Sequence, residues 1–148
     1  SLLEQRRWII VSHSLGGVLT RKTVSRALLG NNKILTPALV SINSPLNGAN
    51  IARLAAALGG APETLKALAP GSKFLKDLSG EWEKVGRLAP VSELCVYGTS
   101  DAVVTKASST YMCQREKPLQ DAGHSDVVMD SAWSKIIIDI LRDEAKRL

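Results

Sequence analysis

Trp8-Ile9-Ile10-Val11-Ser12-His13-Ser14-Leu15-Gly16-Gly17-Val18-Leu19 decides how this chain is read. An apolar, β-branched run stops at a cluster of small residues and a pattern with helical spacing begins at once, which predicts strand, abrupt turn and helix. Ser14 falls at the corner. A turn that sharp strains the backbone of its apex residue and needs small neighbours, here Ser12 and Gly16, so that strand and helix can approach each other. The apex side chain is then lifted clear of the sheet, beside the unpaired N–H groups and positive dipole end of the first helical turn. A nucleophile and the oxyanion it generates fit such a place. The plainer alternative is an ordinary turn whose serine caps the helix.

Outward from this stretch, Gly16 to Leu29 carries Val18, Leu19, Val24, Ala27 and Leu28 as the stripe of a helix packed on a sheet, stopped by Gly30-Asn31-Asn32. A second strand is predicted from Ala38 to Asn43, limited by Pro37 before it and Ser44-Pro45 after it. Two apolar strands joined through a helix form a βαβ unit, which is parallel and right-handed in nearly all proteins. Residues 49–91 read as short helices punctuated by Gly59-Gly60, Pro62, Pro70-Gly71 and Ser79-Gly80, with Leu65, Leu68, Phe74, Leu75 and Leu78 as an apolar face. A third strand is predicted at Glu93 to Gly98, and a short one near Tyr111 to Gln114 within the polar region from Thr105 to Gln120. The last helix turns Ala132, Trp133, Ile136, Ile137, Ile140 and Leu141 inward, and before the first strand Leu2 to Arg7 reads as the tail of a helix.

The chain has 148 residues, 45% of them hydrophobic and 22% charged, the composition of one soluble globular domain. No apolar run reaches the roughly 20 residues of a membrane-spanning helix and no segment resembles a cleaved signal peptide, so a soluble chain is expected, with the cytoplasm favoured. A net charge of +5 permits attraction to nucleic acid, but the basic residues are scattered among acidic neighbours and only 4% of residues are aromatic, which argues against it. The two cysteines, Cys95 and Cys113, lack metal-ligand spacing. Cys95 in its apolar run reads as a buried thiol, and a Cys95–Cys113 bridge is the alternative in an oxidising compartment.

Ser12 to Gly17 resembles the nucleophile elbow of the α/β-hydrolases in the His-Ser-x-Gly-Gly form of lipases and serine esterases, with Ser12 where the first glycine usually stands. Ser41-Ile42-Asn43-Ser44-Pro45-Leu46-Asn47-Gly48 resembles the strand end that lipase-type members carry after the nucleophile helix, and Pro70 to Leu75 is similar to a stretch of lipase-like members. The resemblance implies an α/β fold, a partial α/β-hydrolase domain over residues 1–148: a mostly parallel sheet with flanking helices, lacking its amino-terminal strands. It further implies a helical cap or lid at 49–91 whose apolar underside takes acyl chains. The same leucines also suit plain packing onto the sheet.

A serine hydroxyl needs a base near neutral pKa and a third group to orient that base. Of the two histidines, His13 precedes Ser14 on a strand and points to the other face, which suits a structural role beneath the elbow. His124 lies in a loop before the last helix, where the family's general base sits. Asp101 matches the Gly-x-x-Asp-x-Val-Val pattern that carries the family's acid. Ser14, Asp101 and His124 thus fall on loops at the carboxyl ends of strands in the order Ser, Asp, His, with Asp121 and Asp126 as nearby rival carboxylates. A turn residue hydrogen-bonded to backbone is the alternative for Asp101.

The expected function is a serine hydrolase for carboxylic esters, small or lipid-like, with the backbone N–H of Leu15 at the oxyanion and no cofactor or metal. The family's second oxyanion donor comes from upstream of the elbow, and losing one donor costs on the order of 10²–10³-fold in rate. Weak or no activity is therefore expected of this chain alone, with association through the exposed sheet edge or a missing amino-terminal part as its hazard. An acyltransferase or thioesterase with the same residues, or a non-catalytic binding module on the same fold, are the alternatives.

Overall fold

The computed structural model describes residues 8–30, 38–89 and 91–148. The expectations for Leu2 to Arg7, Asn31, Asn32 and Pro37 lie outside them. Strands β1 (Ile9–His13), β2 (Ala38–Ile42), β3 (Glu93–Gly98) and β4 (Arg115–Leu119) form one sheet in the order β1-β2-β3-β4, and every neighbouring pair is parallel. Helices α1 (Leu15–Leu29), α2 (Ile51–Leu58), α3 (Pro62–Ala67), α4 (Lys73–Leu88), α5 (Lys106–Ser109), α6 (Asp126–Met129) and α7 (Ser131–Ala145) fill the connections.

Alternation along the two central strands explains the layers. On β2 and β3, Val40, Ile42, Leu94 and Val96 point to one face and pack with Ile140 and Val127 of the last helices. Leu39 joins Val24 of α1 and Trp82 and Val85 of α4 on the other face. With a helical layer on each face, β2 and β3 are buried along their whole length, as parallel strands require. Leu54, Leu65, Leu68, Leu75 and Leu78 of α2 to α4 are buried with Val18 and Leu46, so their packing role is accounted for.

Three details depart from expectation. The fourth strand is not at Tyr111 to Gln114 but just after it. Met112 takes a left-handed φ of 56°, which ends the preceding turn and breaks any extended run there. On α7 Ile140 and Glu144 are buried and Trp133, Ile137 and Leu141 partly buried, while Ala132 and Ile136 face solvent. Glu144 takes the core-facing position one turn beyond Ile140 because Arg115 of β4 meets it with two hydrogen bonds of 2.6 and 2.7 Å. Third, Cys95 is not a free thiol: it forms a disulfide with Cys113, tying the middle of β3 to the segment before β4.

Beneath that bridge, Arg21 of α1 and Glu93 of β3 form a buried ion pair at 2.7 Å. Ser41 Oγ also donates to Glu93, Arg21 donates to the Tyr111 carbonyl, and its guanidinium stacks over Trp82. Every charged group in this pocket has partners, which a buried charge needs. Trp8 and Val11 at β1, Leu19 of α1 and Ile136 and Ile138 of α7 remain exposed. Among the described residues, no helix is long and apolar enough to cross a membrane.

Candidate active site

The site is built on the carboxyl-terminal rim of the sheet. Ser14 follows β1 with φ 51° and ψ −126°, a backbone conformation that costs a non-glycine residue about 1–3 kcal/mol. It occupies the N-cap position of α1, yet its side chain makes no capping hydrogen bond. The hydroxyl instead lies 2.9 Å from Nε2 of His124. The expectation that Ser12 and Gly16 provide the room is only half of the local geometry. A Cβ on Gly16 would meet that of Ser12 at an ordinary 3.5 Å, whereas one on Gly17 would collide with Ser44, 2.6 Å from its Cβ. Gly17 is the residue that lets α1 close onto the end of β2.

Asp101 follows β3. Its Oδ1 accepts the N–H groups of Val103 and Val104 at 2.7 and 2.9 Å, and its Oδ2 lies 2.8 Å from Nδ1 of His124. One oxygen thus makes the contacts of a turn residue and the other faces the imidazole. Because a carboxylate only accepts, His124 Nδ1 carries the proton and Nε2 is left to accept from the Ser14 hydroxyl. The side chains of His124 and Asp101 are almost fully buried, so their attraction is weakly screened. The rival carboxylates are engaged elsewhere: Asp126 accepts the Gly123 N–H at 2.6 Å and Asp121 faces Gln120 at 3.1 Å.

His13 is half-buried, and its Nε2 donates to the backbone carbonyl of His124 at 2.7 Å rather than approaching Ser14. Burial is the largest influence on it and holds its pKa below the ordinary imidazole value, so the ring is neutral at pH 7. Leu15 opens α1, where the first N–H groups have no acceptor within the helix. Glu93, Cys95 and Cys113 cluster closely enough to suggest a cation site. The disulfide occupies both sulfurs and Arg21 already neutralises Glu93.

Two residues that the sequence marked only as strand ends, Gly98 also opening the pattern around Asp101, help to build the site. Asn43, fully buried with φ 47°, binds Gly98, Gly123 and His124 through its side chain. Gly98 lies so close to the Ala122 carbonyl that a Cβ would overlap it, 2.9 Å from the carbonyl carbon. The signals available in the sequence were an Asn where a strand meets Ser-Pro, tolerant of left-handed backbone, and a Gly ending a strand.

No family model and no curated protein matches this sequence. Solved structures do match in fold. The mature lipase BlEst2 of Bacillus licheniformis superposes with a TM-score of 0.72 at 16% identity, over 92% of this chain and 66% of that one. Human thioesterase 2 superposes at 0.55 and 15% identity, over 95% of this chain and 73% of that one. A meta-cleavage product hydrolase from Pseudomonas fluorescens gives 0.53 at 17% identity, over 97% and 66%. The chain thus spans about two thirds of the length of these proteins. At such identities the likeness speaks for architecture: this chain has a partial α/β-hydrolase fold, a four-stranded parallel sheet flanked by helices.

Proposed function

We propose that this chain is a serine hydrolase acting on carboxylic esters, including lipid-like ones. The observation that carries the reading is the hydroxyl of Ser14, which forgoes capping its own helix and lies 2.9 Å from an imidazole whose other nitrogen faces a buried carboxylate. In this reading Ser14 Oγ attacks the ester carbonyl carbon as its proton passes to His124 Nε2, and Asp101 stabilises the imidazolium. The tetrahedral oxyanion accepts from the Leu15 N–H. Collapse breaks the bond to the leaving alkoxide, which takes the proton from His124 and departs as the alcohol. Water then attacks the acyl-serine, giving its proton to His124; on collapse that proton returns to Ser14 and the acid leaves. Of the segment expected to form the cap, α2 and α3 serve that role over the acyl group, α4 being packed on the sheet beside α1. No step requires a metal or a cofactor.

Labelling with a fluorophosphonate, together with turnover of p-nitrophenyl esters, tests the reading. Label on Ser14, and loss of both label and turnover in the Ser14→Ala variant, are expected. Ester turnover that survives Ser14→Ala within a few-fold overturns the assignment, and a folded chain that takes no label favours a non-catalytic module.

A further inference from the structure

We propose that Asn43 is a positioning residue for the hydrolytic reaction, holding the backbone of His124 in register with the segments that carry Ser14 and Asp101; this rests on the hydrolase reading. Asn43 stands one residue past the end of β2, between the two strands whose ends carry the nucleophile and the acid. Its Nδ2 donates to the carbonyl oxygens of His124 at 3.0 Å and Gly123 at 3.2 Å. Its Oδ1 accepts the N–H of Gly98 at 2.7 Å, three residues before Asp101. Its backbone N–H bonds Val96 at 2.9 Å, and the carbonyl of the preceding Ile42 accepts the Ser14 N–H at the same distance. Asn43 therefore joins the His124 and Asp101 segments directly, and the residue before it joins the Ser14 segment.

Chemistry narrows what can stand there. The position needs a donor and an acceptor on one short side chain, in a left-handed backbone that asparagine tolerates better than most residues. Aspartate has the acceptor but no donor when ionised. Alanine leaves the buried Gly98 N–H without its partner, which costs about 1–3 kcal/mol. The His124 carbonyl also accepts from His13, so side chains at the ends of two strands fix the peptide that follows His124. Displacing an imidazole by an ångström from its attack geometry lowers a rate by about 10²-fold, which sets the expected size of the effect.

The test compares Asn43→Asp, which keeps the acceptor for Gly98, and Asn43→Gly, which keeps the backbone conformation, with the parent chain. Folding is checked by circular dichroism, and kcat is counted per fluorophosphonate-labelled site. The expected result is a kcat lower by about 10²-fold with KM within about threefold in both variants. Proton NMR gives a second readout, because the chain has only two histidines to resolve. In both variants the His124 ring resonances, read at one fixed pH, move from their positions in the parent, because the backbone that carries the ring loses its hydrogen bonds to Asn43. A role confined to folding would lower thermal stability and leave kcat per site and the His124 ring resonances in place.

A folded Asn43→Asp variant whose kcat stays within about threefold of the parent overturns the proposal. If Asn43→Gly does not fold, Asn43→Asp decides. A parent that neither takes label nor turns over ester sinks the hydrolase reading by itself, and the ring resonances then judge Asn43: a His124 ring unmoved in both variants overturns its role.

Discussion

Asp101 divides its carboxylate between two tasks, one oxygen ordering the Val103 and Val104 N–H groups and the other lying 2.8 Å from the His124 imidazole. The turn after β3 and the orientation of the ring are therefore fixed by one side chain. Replacing Asp101 by Asn presents an amide N–H or a weaker acceptor to Nδ1, and in the first case the imidazole adopts the wrong tautomer. The expected outcome is a fall in ester turnover of about 10⁴-fold with the fold retained. Steady-state kinetics beside circular dichroism measure it; turnover within tenfold of the parent would mean that the carboxylate serves the turn alone.

Gly17 allows no side chain because Ser44 fills the space beside it. A methyl group there pushes the start of α1 from the end of β2 and carries Ser14 with it. Gly17→Ala is expected to cost about 1–3 kcal/mol in unfolding free energy, whereas Gly16→Ala, which makes only an ordinary contact with Ser12, costs less. Urea denaturation of the two variants side by side gives the comparison.

The Cys95–Cys113 bridge closes a loop across 18 positions that contains Asp101. For a loop of that size, removing the cross-link costs about 3 kcal/mol on the chain-entropy account. Thermal unfolding with and without a reductant is expected to show the loss. The paired Cys95→Ala, Cys113→Ala variant should match the reduced parent and respond no further to reductant.

Protonation of His13 gives the pH dependence. Its pKa is lowered in the folded chain, chiefly by burial, so the unfolded chain binds the proton more readily. Stability is complete above the ordinary histidine value of 6.5 and declines as pH falls below it toward the folded pKa. Midpoints of thermal unfolding measured from pH 7.5 down to 5 should fall, and His13→Gln should flatten that part of the curve. An equal slope in the variant would assign the effect to other groups.

The sequence made β1, β2, β3 and their helices legible because their apolar residues alternate or recur with the helical period. Arg115-Glu116-Lys117-Pro118-Leu119 was not legible as a strand: at the sheet edge only Leu119 is buried, so the hydrophobic pattern is missing. Ser14, Asp101 and His124 could be selected because each follows a recognisable strand or loop, and the structure brings their side chains within hydrogen-bonding distance of one another. Asn43 could not. Its side-chain partners are 55 and more positions away, and a single sequence contains no trace of a contact over that separation. The pairing of Cys95 with Cys113 likewise depends on two Cα atoms arriving 6.2 Å apart, a property of the folded chain.

The bare start of α1 sets a limit on improvement. A serine at that position ordinarily contributes about 1 kcal/mol by accepting from the first turn, and Ser14 contributes none in this way because its side chain makes no such bond. One oxygen cannot serve both uses. Engineering greater robustness through that helix end would take away the very atom that faces His124, so hardening of this chain has to be sought elsewhere.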